Sequence, residues 1–321
     1  MLSYSKNDLI HYFQKIISEK NKEIEKYKLK NKSLEEKLSK IIIIRQSPDE
    51  DNKKQINFYD IIVHIDSVKD ISKGWKIEMN ENGKKNYEEF KNENILKLGV
   101  IGNANKGKSH LLSKISKINL PSGMTIKTEG LSIKYPEIQL KNKRKIVLLD
   151  SAGFETPVLI SDIISRKNES NELFKEKSRE KLITELFLQN YIVNNSDILL
   201  VVVDCLSYSE QKLLMKIKKE RERVKERKPL LYVIHNLKTY ITIEQVQDYI
   251  NKTLLKSATF KLVLGNKDPN EKGIFFCEIP NDKKAKNEPA IYHLIYANED
   301  SEAGKYYNPF TLKFIEQYYN Y

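Results

Sequence analysis

Apolar residues recur with a spacing of seven near the amino end of the chain, over residues 9–43. A seven-residue repeat predicts one long helix that buries a seam of two core positions, as in a coiled coil. One of these positions holds Asn31, a residue type that fixes the register of a parallel pair. The competing interpretation is a helix that folds back onto the following domain through residues 41–44. The core positions are Ile10, Ile17, Ile24, Asn31 and Leu38 in one series, and Phe13, Lys20, Tyr27, Leu34 and Ile41 in the other.

Beyond a polar, proline-containing linker, short apolar runs alternate with amphipathic stretches. This alternation predicts a layered α/β domain. We divide the chain into an N-terminal helix or coiled coil (1–46), a linker (47–56) and the α/β domain (57–321). The segment around Gly74-Trp75 and Asn82-Gly83 is predicted to be irregular. The predicted strands are 58–65, 95–101, 131–135, 145–150, 198–204, 230–234, 260–265, 273–279 and 290–297, and the predicted helices are 109–118, 171–192, 209–227, 242–257 and 309–319.

The segment 102–109 reads Gly-Asn-Ala-Asn-Lys-Gly-Lys-Ser and directly follows an apolar run. This is the phosphate-binding loop of P-loop nucleoside triphosphatases, in which a glycine-rich backbone curl and a helix N-terminus surround an anion. Lys108 is predicted to reach the β- and γ-phosphates, and the Ser109 hydroxyl to bind Mg²⁺. The fold class is therefore a three-layer P-loop α/β domain with a mostly parallel sheet. The predicted nucleotide contacts in this segment are Gly102, Asn103, Ala104, Asn105, Lys106, Gly107, Lys108, Ser109 and His110.

A second motif, Asp150-Ser-Ala-Gly153, stands at the end of another apolar run. Asp150 is predicted to bind Mg²⁺ through water, and the Gly153 N–H to meet the γ-phosphate. A threonine between the two motifs is needed to complete the Mg²⁺ ligands; Thr128 is predicted, with Thr125 as the alternative. The predicted metal ligands are Ser109, Thr128 and Asp150, and the predicted catalytic residues are Lys108, Thr128 and Gly153.

In this order, the motifs resemble the G domain of translation-factor-related P-loop GTPases. Within that class, Thr128-Glu-Gly-Leu before a strand and the long helix 171–192 resemble the guanylate-binding and atlastin type of the dynamin superfamily. The resemblance implies hydrolysis of GTP to GDP with Mg²⁺. The sequence of the phosphate loop, with Asn105, is more similar to that of the tRNA-modifying GTPases, whose matching asparagine helps hold a potassium ion. The resemblance thus implies K⁺ as a further cofactor; the alternative is that Asn105 is a plain loop residue.

The guanine-reading motif of the family departs from its usual form. Asn236 matches the family's asparagine, and Lys238 is a predicted nucleotide contact, but Thr239 replaces the aspartate that holds the guanine N1 and N2 hydrogens. Lys238-Thr239 matches only in part the Arg-Asp pair of guanylate-binding proteins. Residues 266–269, Asn-Lys-Asp-Pro, are the second candidate, and Asn298-Glu299 can supply part of the base pocket. GTP is therefore expected, with an ATP-binding protein as an alternative.

Phe154 stands where many GTPases place the glutamine that orients the attacking water. Since phenylalanine cannot hydrogen-bond water, an isolated domain is expected to hydrolyse GTP slowly. A homodimer, through the coiled coil or the G domains, is the predicted way to complete the site. The alternative function is a scaffold that resembles septins, in which bound GTP stabilises the structure and is hardly hydrolysed.

Composition limits the partners and the compartment. Lys and Arg exceed Asp and Glu by 56 to 44, which gives a net charge of +12. Because the lysines are interleaved with Glu and Asn, a well-solvated surface is favoured and nucleic acid is expected to be an unlikely partner. Two cysteines indicate a reducing compartment, so the location is predicted to be cytoplasmic. No transmembrane segment is expected, nor is a long C-terminal stalk, since the last helix lies near the end of the sequence.

Overall fold

The computed structural model describes residues 58–91, 95–120, 130–137, 145–155, 158, 170–224, 227–265, 270–279 and 289–319. The predicted coiled coil, the linker, Thr125, Thr128 and residues 266–269 lie outside these ranges. In chain order the helices are α1 (Glu81–Phe90), α2 (Lys108–Ser116), α3 (Ser170–Asn195), α4 (Tyr208–Arg223), α5 (Ile243–Tyr249) and α6 (Glu302–Tyr319). The strands are β1 (Ile61–His64), β2 (Lys76–Met79), β3 (Leu96–Ile101), β4 (Leu131–Lys134), β5 (Ile146–Ser151), β6 (Ile198–Val203), β7 (Leu230–Leu237), β8 (Leu262–Leu264), β9 (Phe275–Glu278) and β10 (Ile291–Ala297).

The ten described strands form one sheet in the order β2-β1-β4-β5-β3-β6-β7-β10-β9-β8. The five central strands, β5 to β10 in this order, are parallel, and the flanking strands pair antiparallel. The prediction of a mostly parallel sheet therefore holds for the centre and fails at both flanks. β6 is buried along its whole length, as expected for a strand covered on both faces.

Helices cover both faces of the sheet and form the predicted three layers. On one face, apolar side chains of α3, α4 and α5 join the core, and on the other those of α2 do so, while α6 contributes Tyr307 to the first cluster and Phe314 to the second. Because the carboxyl ends of β3, β5, β6, β7 and β10 meet at one edge of the sheet, the loops that follow them lie side by side there. Within the described residues, no helix is both long and apolar enough to cross a membrane.

The segment predicted to be irregular around residues 74–83 forms β2 and α1 instead. Asn80 caps α1, since its side-chain oxygen accepts from the Gly83 N–H at 2.7 Å. Gly83, taken as a turn residue, lies inside the helix against the backbone of Asp60, where no Cβ atom would fit. A glycine is therefore required at this position because α1 packs closely against the backbone that leads into β1.

Helix α6 begins seven residues before its predicted start and contains Pro309. Asn308 bonds both backbone groups of Ala297: its Oδ1 accepts from the N–H at 2.8 Å, and its Nδ2 donates to the carbonyl at 3.0 Å. The Thr311 hydroxyl donates to the Ile295 carbonyl at 2.5 Å. The side chains of α6 thus bond the end of β10, beyond the last residue that β9 pairs.

Candidate nucleotide-binding site

The loop 102–107 curls between the end of β3 and the start of α2. Gly102 runs so close to β6 that a Cβ atom would collide with the Val202 carbonyl oxygen. Gly107 has φ +85°, in the left-handed region that favours glycine, and it offers no side chain to cap α2. The leading N–H groups of α2 are thus left for an anion.

Lys108 is buried at the first position of α2, with 7% of its surface exposed. Its Nζ donates to the Asn103 carbonyl at 3.1 Å, so the side chain folds back over the loop. Burial lowers the pKa of Lys108 to about 8, although Asp150 nearby acts in the opposite direction. A bound phosphate would offset the cost of this buried charge.

Asp150, at the carboxyl end of β5, is fully buried. One of its oxygens, Oδ2, accepts from the Tyr59 hydroxyl at 2.6 Å and from the Ser109 hydroxyl at 2.7 Å. Burial raises the pKa of the Asp150 carboxyl, against the lowering effect of these two hydrogen bonds and of Lys108. The predicted metal ligands Ser109 and Asp150 are thus brought together.

The other oxygen, Asp150 Oδ1, is buried and has no hydrogen-bond partner in the described part of the chain. A buried charged oxygen without a partner is costly. Mg²⁺ takes oxygen ligands, typically one or two from the protein and the rest from phosphates and water. Asp150 and Ser109 therefore fit a Mg²⁺ ion that is shared with a nucleotide.

The segment after Asp150 pairs directly with the phosphate loop. The Ala104 N–H donates to the Phe154 carbonyl at 2.8 Å, and the Phe154 N–H to the Gly102 carbonyl at 3.3 Å. A Cβ atom on Gly153 would lie 2.5 Å from the Ala104 Cα, so only glycine fits between the two segments. Glu155, the residue after Phe154, accepts from the Asn103 amide at 3.1 Å. Gly153 thus packs against the phosphate loop, and its contact with a γ-phosphate stays a prediction.

Phe154 is 4% exposed and packs in the core with α3. Its ring therefore contributes to packing, and it has no polar group to offer to a water molecule.

The end of β7 contacts the phosphate loop from the side opposite to Asp150. Asn236 Nδ2 donates to the Lys106 carbonyl at 2.7 Å, and Lys238 Nζ donates to the Asn105 carbonyl at 2.7 Å. Asn298 Nδ2 donates to the Lys238 carbonyl at 3.1 Å, which joins the loop after β10 to this group. Thr239, which replaces the family's aspartate, is exposed. The structure thus brings Asn236, Lys238 and Asn298 together beside the loop.

His110 and Glu299 pair with each other. His110 Nε2 lies 2.9 Å from Glu299 Oε1, and Lys114 Nζ lies 2.8 Å from Glu299 Oε2. Partial burial would raise the pKa of Glu299, but Lys114, Tyr296 and His110 hold it at about 2. The side chain of His110 is thus committed to the loop after β10, while its backbone N–H remains in the first turn of α2.

Tyr59 and the partners of Lys106 were missed by sequence reasoning. Lys106 Nζ lies 3.1 Å from Asp204 Oδ2 and 3.3 Å from Glu210 Oε1. Asp204 directly follows the apolar strand β6, so its position at the shared edge of the sheet was a usable signal. Tyr59 carries no such signal, because it precedes β1 and is distant from every motif along the chain.

The comparisons agree with this geometry. Residues 97–255 match the family model of 50S ribosome-binding GTPases. A strand, a phosphate loop, a buried aspartate and a glycine packed on the loop define a P-loop nucleotide-binding domain. Residues 97–255, the part that the family model matches, thus resemble a P-loop GTPase G domain.

Several known proteins are similar to the chain. A heat shock protein of Dictyostelium discoideum is 25% identical over 295 residues, which cover 83% of this chain and 40% of that protein. The chain thus spans less than half the length of this relative.

Three solved structures are also similar. The G domain of the T. maritima FeoB iron transporter is 13% identical, with a TM-score of 0.33, covering 71% of this chain and 99% of that one. Era in complex with MgGDPNP and nucleotides 1506–1542 of 16S ribosomal RNA is 16% identical, with a TM-score of 0.38, covering 70% and 56%. A single-residue variant of Aquifex aeolicus Era bound to GDP·AlF4⁻ is 16% identical, with a TM-score of 0.39, covering 70% and 57%. The family match does not confirm the predicted resemblance to the dynamin superfamily.

Proposed function

We propose that this chain binds GTP with Mg²⁺ and hydrolyses it to GDP and phosphate as a molecular switch. The observation that carries the proposal is the buried group at the ends of β3 and β5. There Lys108, Ser109 and Asp150 lie together, and one Asp150 oxygen lacks a protein partner among the described residues. An ammonium, a hydroxyl and a carboxylate around a phosphate loop supply the positive charge and the oxygen ligands that a nucleoside triphosphate and its cation require.

Each of these groups has a separate role in the proposal. Lys108 supplies positive charge to the phosphates, and Ser109 and Asp150 hold the Mg²⁺ ion, which neutralises charge that develops on the phosphate oxygens. The Gly153 N–H would meet the γ-phosphate, and a phosphate bound at the Ala104 N–H would compete with the Phe154 carbonyl for that donor. Loss of the γ-phosphate restores the Ala104–Phe154 pairing, which is the switch. Thr128 remains the proposed third metal ligand and catalytic residue.

Guanine is the proposed base, read by Asn236 and Lys238. Both side chains bond the carbonyls of the phosphate loop, which fixes the loop against the end of β7. Thr239 supplies a hydroxyl where the family has a carboxylate, so discrimination between GTP and ATP is proposed to be weaker than usual. A protein that uses ATP is the alternative that Thr239 favours.

Turnover is proposed to be slow for a single domain, because the buried Phe154 leaves the attacking water without its usual partner. A second G domain in a homodimer would then supply the missing group. We place the protein in the cytoplasm, and cell fractionation checks this. Nucleic acid is not a proposed partner; salt-dependent RNA binding by the purified chain would contradict this.

The proposal is tested by thermal unfolding with and without nucleotide and Mg²⁺. A ligand that binds only the native state stabilises it by RT ln(1 + [L]/Kd), so GDP at a hundredfold excess over Kd adds about 3 kcal/mol. The Lys108→Ala variant should lose this stabilisation. The matched control is Lys212→Ala, at an exposed lysine on α4, which should keep it.

Three outcomes separate the candidate functions. Equal stabilisation by ATP and GTP contradicts guanine specificity, and no stabilisation by either contradicts the nucleotide site. Stabilisation by GTP without multiple-turnover release of phosphate favours the nucleotide-stabilised scaffold over the switch.

A further inference from the structure

Tyr59 connects the metal site to a part of the chain that precedes the phosphate loop. It lies just before β1 and is 0% exposed. Its hydroxyl donates to Asp150 Oδ2 at 2.6 Å, across 91 positions of sequence. A hydrogen bond between a neutral hydroxyl and a carboxylate in a buried site is among the stronger kinds in proteins. Tyr59 is therefore the one described residue outside the two motifs that bonds this carboxylate through its side chain.

Neighbouring elements fix the backbone around Tyr59. Its carbonyl accepts from Asn80 Nδ2 at 3.1 Å, and Asn80 is the cap of α1. The Asp60 carboxylate accepts from Lys134 Nζ at 2.9 Å and from the Tyr135 N–H at 2.8 Å. The backbone of Tyr59 is thus bonded to the cap of α1, and the side chain of the next residue is bonded to the end of β4.

The two oxygens of Asp150 are used differently. Oδ2 already accepts two hydroxyl hydrogens, from Tyr59 and Ser109, whereas Oδ1 accepts none in the described part of the chain. Two donors on one oxygen fix the rotation of the carboxylate and leave the other oxygen available to a cation or to its water. Ser109 is also a predicted ligand of the cation, whereas Tyr59 is not.

We propose that Tyr59 is a positioning residue for Mg²⁺, which holds the Asp150 carboxylate with Oδ1 available to the metal. This inference rests on the proposed nucleotide site and adds to it. Tyr59, β1, β2 and α1 all precede residues 97–255, the span that the family model covers. The segment before the phosphate loop thus becomes part of the metal site.

The test is the release of a fluorescent GDP, methylanthraniloyl-GDP, measured in excess Mg²⁺ and in EDTA. In the intact protein Mg²⁺ should slow the release. The Tyr59→Phe variant keeps the buried ring and removes only the hydroxyl. It should release GDP about tenfold faster in Mg²⁺, the size expected for a lost hydrogen bond to a charged group, with the rate in EDTA unchanged. The concentration of Mg²⁺ that gives half of the slowing should rise by a similar factor.

The matched control is Tyr232→Phe, at another fully buried tyrosine, on β7. This variant should leave the ratio of the two release rates unchanged even if its melting temperature falls. A Tyr59→Phe protein with a lower melting temperature and an unchanged ratio would show a merely structural role and overturn the inference.

A second pair of variants covers a failure of Tyr59→Phe to fold. Tyr59→p-aminophenylalanine keeps a donor at the same place, and Tyr59→p-methylphenylalanine keeps the volume without a donor. The first should retain the Mg²⁺ effect and the second should lose it; equal behaviour overturns the inference. If the intact protein binds no labelled GDP in either condition, the proposed function itself fails.

Discussion

At the scale of single residues, Asn105 in the phosphate loop has a backbone conformation that few residues other than glycine adopt. It has φ 60°, in the left-handed region that asparagine tolerates better than most residues. Its carbonyl accepts a hydrogen bond from Lys238 Nζ, and the residue is exposed in the loop. We therefore propose its amide as a ligand of a K⁺ ion beside the phosphates.

This proposal predicts faster GTP hydrolysis in K⁺ than in Na⁺. A cation beside developing negative charge is expected to raise the rate by about tenfold or more. The Asn105→Gly variant keeps the left-handed backbone without cost and removes only the side chain, so it should abolish the difference. Phosphate release in the two salts measures it. Equal rates in the intact protein would contradict the K⁺ site.

The residues of the two motifs were predictable because their chemistry fixes their spacing. Gly102, Lys108 and Asp150 lie where the phosphate loop and the following strand must place them. Tyr59 was not predictable, since one buried tyrosine looks like any other core residue until the tertiary structure puts it on Asp150. The same holds for the side chain of His110, whose pairing with Glu299 depends on how the last strand ends.

At the scale of elements, a buried chain of polar side chains joins α5, β7, β10 and β9. His235 Nδ1 lies 2.8 Å from the Tyr249 hydroxyl, and His235 Nε2 lies 2.9 Å from His293 Nδ1. His293 Nε2 lies 2.9 Å from Glu278, which also pairs with Lys218 on α4. The Glu278 carboxylate can only accept, so with neutral rings each donor is set: Tyr249 to His235, His235 to His293, and His293 to Glu278.

These hydrogen-bonded side chains predict that the folded protein loses stability in mild acid. Burial lowers the pKa of both histidines below their ordinary 6.5, well below it for His235. The unfolded chain therefore binds protons that the folded chain does not. The stability is fully present above pH 6.5 and falls as the pH drops, by about 1 kcal/mol per pH unit for each histidine.

Urea unfolding between pH 5 and pH 8 measures this slope. The groups that face the two rings are the Tyr249 hydroxyl, Glu278 and Lys218, and none of them has an ordinary pKa between 5 and 8. In the His293→Gln variant one of the two histidines is removed, so the slope should fall by about half. The same slope in both proteins would show that other groups cause the pH dependence.

Element prediction succeeded where the hydrophobic pattern was continuous and failed where glycine or proline misled it. β6 was found because every residue of Ile198–Val203 is apolar and buried. β2 and α1 were missed because Gly83 reads as a turn, whereas it marks close packing on Asp60. The prediction began the last helix at about residue 309, whereas Pro309, a residue type favoured at the first position of a helix, lies inside α6.

At the scale of the whole molecule, the predicted coiled coil and the buried Phe154 lead to one expectation. A parallel pair through residues 10–41 would raise the local concentration of a second G domain, and symmetric pairing is the usual arrangement of such dimers. Specific GTPase activity should therefore rise with protein concentration and fall, by up to about a hundredfold at low concentration, when residues 1–46 are deleted.

The control for this deletion is nucleotide binding, which should be unchanged because the phosphate loop and Tyr59 are retained. Asn31→Ile should loosen the choice of oligomeric state, measured by sedimentation, while nucleotide binding stays intact. A monomer at micromolar concentration with a GTP analogue bound would show that residues 1–46 serve another purpose.

Asn308 connects the motion of α6 to that of β10. Its side-chain amide hydrogen-bonds the N–H and the carbonyl of Ala297, as a neighbouring strand would. The end of β10 and the middle of α6 are therefore expected to move together. The loop that carries Asn298 beside the nucleotide site is attached to the end of β10. A displacement of the far end of α6 is therefore expected to move the loop that carries Asn298, next to the place where the base would lie.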